Sequence, residues 1–92
     1  MLVVEKNGFA DTKISDISES EAGSFLRNAR RSATGGKRPV EFDTDEARIL
    51  VVVGPQGMPQ KIVAVGMSNH VSQAEVIDQV EQTWKAFSQK AA

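Results

Sequence analysis

Five cations fall between residues 27 and 38: Arg27, Arg30, Arg31, Lys37 and Arg38, with no acidic residue among them. Of the 11 basic residues in the chain these are five, leaving six elsewhere against 12 acidic ones. Charge is therefore segregated along the sequence. Thr34-Gly35-Gly36 sits inside the cluster and places flexible backbone amides beside cationic side chains. A phosphate, a nucleotide, a nucleic acid or an acidic protein surface would suit such a place. A second reading needs no ligand: cations in the last turn of a helix offset its dipole, and Gly-Gly is an ordinary helix stop. Phosphate loops lead into a helix N-terminus, whereas this segment trails a C-terminus and lacks P-loop spacing.

A second candidate surface is the Gly54-Pro55-Gln56-Gly57-Met58-Pro59-Gln60 segment. Met58 is apolar and adaptable, and flanking prolines lower the entropy cost of ordering a loop against a partner. The residues singled out here are Gly54, Pro55, Gly57, Met58 and Pro59. The alternative is a plain connector whose prolines discourage edge pairing.

Other chemistry finds little footing. Glu41, Asp43, Asp45 and Glu46 offer oxygens, but no glycine or bidentate glutamate follows at loop spacing, so no metal site is expected. His70, the one histidine, has no nucleophile or partner carboxylate placed by spacing. There is no cysteine, which excludes a disulfide framework, a thiol nucleophile and a thiolate zinc site. Trp84 and Phe87 read as core, which leaves no aromatic platform for single-stranded nucleic acid. No cofactor is expected, and the chain is read as non-catalytic.

The elements that position these residues follow from periodicity. Ala47 to Met67 holds two runs rich in β-branched residues around the 54–60 segment, the form of a hairpin with a long loop. Ile49 to Val53 is apolar without a break, as in a strand covered on both faces. Leu2 to Lys6 reads as a first strand. Asn7-Gly8 signals a tight turn into a second arm, Phe9 to Ile14. Pro39 to Phe42 reads as a short strand at a start or an edge.

Ser18 with Glu21 and Ser72 with Glu75 have capping-box spacing. Ala22, Phe25, Leu26, Ala29 and Ala33 make one stripe of a helix over 19–33 that ends at Gly35-Gly36. Val76, Ile77, Val80, Trp84 and Phe87 make the stripe of a final helix, with Val71 and Val76 as a hydrophobic staple.

The expected fold is α+β: a single two-layer domain over 1–92, an antiparallel three- to five-stranded sheet with two helices, in the order β(β)αβββα. Two arrangements satisfy this pattern. Both helices on one face would leave a bare apolar face for a second copy, giving a homodimer through the sheet; one helix on each face would need no copy. Net charge −1 argues against a protein devoted mainly to nucleic acid. The N-terminus lacks a secretory pattern and no apolar run approaches the ~18 residues of a membrane span, so a cytoplasmic address away from membranes is expected. The functional expectation is a small adaptor or inhibitor, such as a bacterial or phage accessory protein, acting by contact with a protein partner. A phosphate-ligand or nucleic-acid binder using 27–38 is the alternative.

Overall fold

The computed structural model describes residues 1–8, 12–31, 38–68 and 70–91, with the side chains of 90 and 91 left aside. Seven elements follow one another: β1 (Leu2–Asn7), β2 (Lys13–Asp16), α1 (Glu19–Arg31), β3 (Arg38–Asp43), β4 (Ala47–Val53), β5 (Pro59–Gly66) and α2 (Gln73–Ala91). The five strands form one sheet in the order β2-β1-β5-β4-β3, and every neighbouring pair is antiparallel. The α+β class, the strand complement and the element order are those expected from the sequence.

The layering differs from a two-layer domain. Val4, Ile49, Val51, Val53, Ile62 and Ala64 pack with Val76 and Val80 of α2. Val3, Leu50, Val63 and Val65 pack with Ala22, Leu26 and Ala29 of α1. Successive strand residues point to opposite faces, so the two helices lie on opposite sides of the sheet and the domain has three layers. This explains the unbroken Ile49–Val53 run, in which every side chain is buried. At about 1.5–3 kcal/mol per fully buried aliphatic side chain, covering both faces is worth more than leaving one to water. Among the described residues each face of the central strands is covered by a helix, so the bare face on which the expected homodimer through the sheet would rest is not found there.

Local chemistry fixes the ends. The Glu75 backbone N–H donates to Ser72 Oγ (3.2 Å) and the Ser72 N–H to Glu75 Oε2 (3.0 Å), a reciprocal capping box at α2. At α1 the Glu21 N–H donates to Ser18 Oγ (3.3 Å), while that hydroxyl donates to Glu21 Oε1 (3.1 Å). α1 is described as far as Arg31; the expected helix end at Ala33 and the Gly35-Gly36 stop lie outside the described residues.

The first hairpin is the clearest departure. Leu2 pairs with Asp16 and Glu5 with Lys13, so the described second arm is Lys13–Asp16, which runs past the expected end at Ile14, while Phe9 to Asp11 of the expected arm lie outside the described residues. Asn7 continues β1 against Lys61 of β5, and only Gly8 takes a left-handed conformation (φ 54°). Pairing with β5 on the far side of β1 outweighed the two-residue turn. Among the described residues no helix is long and apolar enough to cross a membrane.

Candidate functional site

The β4–β5 connection is tightly built. The Gly57 N–H donates to the Gly54 carbonyl (3.0 Å) and the Gly54 N–H to the Met58 carbonyl (2.9 Å). Pro55 supplies the fixed φ of a turn's second position, and Gly57 has φ 82°, which non-glycine residues avoid. The pairing of β4 and β5 shifts register at Val52/Val53, so that Val53 faces Pro59. The result is a bulged hairpin tip closed by two backbone hydrogen bonds.

The five loop residues divide by burial. Gly54 and Pro59 are buried and hold the geometry; Gly57 is half-buried; Pro55 is exposed. Met58 remains 38% exposed, one of the few large apolar side chains so placed. Met58, Pro59 and Gln60 line an open groove of about 460 Å³ with Gly8 and Trp84. The Gly8 N–H donates to the Gln60 carbonyl (2.9 Å) and ties the residue that follows β1 to the groove. Trp84 packs against the α2-side core as expected, yet its half-buried ring also forms a groove wall. Lys6 Nζ lies 5.0 Å from the centre of that ring.

The basic segment is partly neutralised. Arg30 holds Glu41 through two hydrogen bonds, Nε to Oε2 (2.9 Å) and Nη2 to Oε1 (3.0 Å). Arg48 holds Asp43 in the same way, Nε to Oδ1 (3.0 Å) and Nη2 to Oδ2 (3.4 Å). Each guanidinium is pushed above its ordinary pKa, first by the hydrogen bond and then by the charge of its carboxylate. The acidic residues of β3 thus hold cations of this chain. Arg27 donates to Ser24 Oγ (3.4 Å). Arg27, Arg31 and Arg38 are exposed and have no ion pair among the described residues. Lys37 lies outside them.

Arg38 pairs with Val53, so the start of β3 lies at the same end of the sheet as the hairpin tip. Arg30 instead reaches Glu41, three residues further along β3, so among the described residues Arg30 and Arg38 do not share one point.

Sequence reading missed a further polar group. Glu5 is 9% exposed and its Oε1 lies 3.0 Å from Lys61 Nζ. The pair shares a recess of about 280 Å³ with Glu21, Ser24, Phe25, Asn28 and Ala29 under α1. The signal was present: Val3 and Glu5 share a strand face, which puts a carboxylate in line with core. His70 is exposed, its backbone N–H donating to Ser68 Oγ (3.2 Å). Among the described residues no three histidine or acidic side chains gather as a metal site would require. Comparison with known proteins finds no match: no family model, no curated protein and no solved structure is similar to the chain.

Proposed function

We propose that this chain is a small non-catalytic binding module that recognises a protein partner through the groove at the hairpin tip. The observation that carries this reading is Met58. It stands exposed beside a buried proline and a half-buried tryptophan, on a loop held by two backbone hydrogen bonds. A pre-formed apolar anchor point loses little entropy on binding, so its contacts translate into affinity. The phosphate-ligand alternative loses support because Arg30 is already engaged by Glu41.

The test is affinity capture from cells with the wild-type chain, Met58→Ser, and Arg27→Gln/Arg31→Gln. A partner held by wild type and by the arginine variant, but lost with Met58→Ser, supports the reading. Capture that ignores Met58 and depends on the arginines would overturn it in favour of the basic segment.

A further inference from the structure

Resting on that reading, we propose that the groove takes an acidic peptide segment with an apolar anchor side chain. Two cations bracket the apolar lining. Lys6 of β1 lies over Trp84 on one side. Arg38 of β3 lies on the other, opposite Val53, and cross-strand partners share a sheet face, here the face that carries α2. Between them run β5 and β4. Three strand spacings and a stagger of about three residues separate the two, since Lys6 is level with Ile62 and Arg38, through Val53, with Pro59; the separation is on the order of 17 Å, which about five residues of extended chain would span.

The strand ends described at the hairpin-tip end of the sheet, Asn7, Lys13, Arg38, Val53 and Pro59, add no carboxylate. The tip itself, 54–60, is uncharged. On α2, Lys85 follows Trp84 and is exposed; Glu81 lies about a turn earlier and is exposed also. Cation–π contact does not neutralise Lys6, and Arg38 has no ion pair among the described residues, so both retain charge for a ligand. A peptide that suits this field carries two carboxylates about five residues apart, with an aliphatic or aromatic side chain between them to cover Met58 and Pro59. Charge complementarity of this kind sets orientation and partner choice more than raw affinity.

The experiment pans a random dodecapeptide library displayed on phage against the intact chain, then measures selected peptides by fluorescence polarisation. Acid-and-apolar sequences should be enriched. Met58→Ser should weaken them by roughly tenfold, the size expected of an anchor residue. Arg38→Glu, with Lys6→Gln as a separate variant, should lower the preference for acidic over basic peptides, and thermal melts verify that each variant is folded. Enrichment that depends on Met58 but shows no charge bias would keep the groove and overturn the acidic partner. Enrichment that ignores Met58, or none at all, would overturn both. Displacement of the peptides by oligothymidylate, with oligothymidylate bound the more tightly, would overturn the peptide ligand in favour of nucleic acid.

Discussion

Arg30 on α1 closes a two-point fork on Glu41 of β3, at 2.9 and 3.0 Å. The contact joins the helix that crosses the sheet to the far edge strand and withdraws one cation from the basic segment. Glu41→Ala should therefore increase retention of the protein on heparin at low salt, because Arg30 becomes available beside Arg27 and Arg31. The gain should vanish at high salt, where exposed charges are screened. Unchanged elution would show that the basic segment attracts no polyanion even when its internal partner is removed.

The three-layer arrangement makes a prediction about both faces. Leu50 is fully buried under α1 and Ile49 under α2, so Leu50→Ala and Ile49→Ala should each cost about 2–5 kcal/mol. Denaturant unfolding midpoints should not depend on protein concentration for either variant. A Leu50→Ala midpoint that rises with concentration would mean that another copy, and not α1, completes that face.

Glu5 and Lys61 form a pair that is largely buried on the acidic side, with side-chain exposures of 11% and 29%. Lys61→Met leaves a carboxylate at the edge of the α1-side core without its cation, at a cost of about 1.5–3 kcal/mol. The double change Glu5→Leu/Lys61→Met should recover most of this, since a matched apolar pair removes the uncompensated charge. Urea denaturation of the three variants measures the coupling. A double variant no more stable than Lys61→Met would show that packing, not charge, governs the site.

Much of the fold was legible because the patterns were local. Ser72 and Glu75 signed the start of α2, and the Ile49–Val53 run signed a strand covered on both faces. What sequence left open was which helix covers which face, because Leu50 and Ile49 are equally apolar and only the paths of α1 and α2 separate them. The candidate site was half visible. Met58 stood out between its prolines, but Trp84, Lys6 and Gly8 reach the groove from elements distant in sequence. The Arg30–Glu41 fork likewise joins two segments of opposite charge that looked like separate features. The Asn7-Gly8 signal misled because β1 extends through Asn7 to satisfy Lys61 on β5.

The two loop glycines should respond differently to alanine. Gly57 sits at φ 82°, so Gly57→Ala strains the backbone by about 1–2 kcal/mol whatever space surrounds it. Gly57→Asn should cost less, because asparagine tolerates that region better. Gly54 has no such conformation. A Cβ there meets Gln60 Nε2 at 2.6 Å, the far end of a flexible side chain that can swing away, so Gly54→Ala should cost less stability than Gly57→Ala. Gln60 also lines the groove, so displacing it should alter peptide binding while the melting temperature barely moves. Thermal melts with heteronuclear NMR of the Met58 and Trp84 signals would separate the two effects. Equal destabilisation by both alanines would mean that the Gly54–Gln60 approach, and not the φ of Gly57, sets the tip.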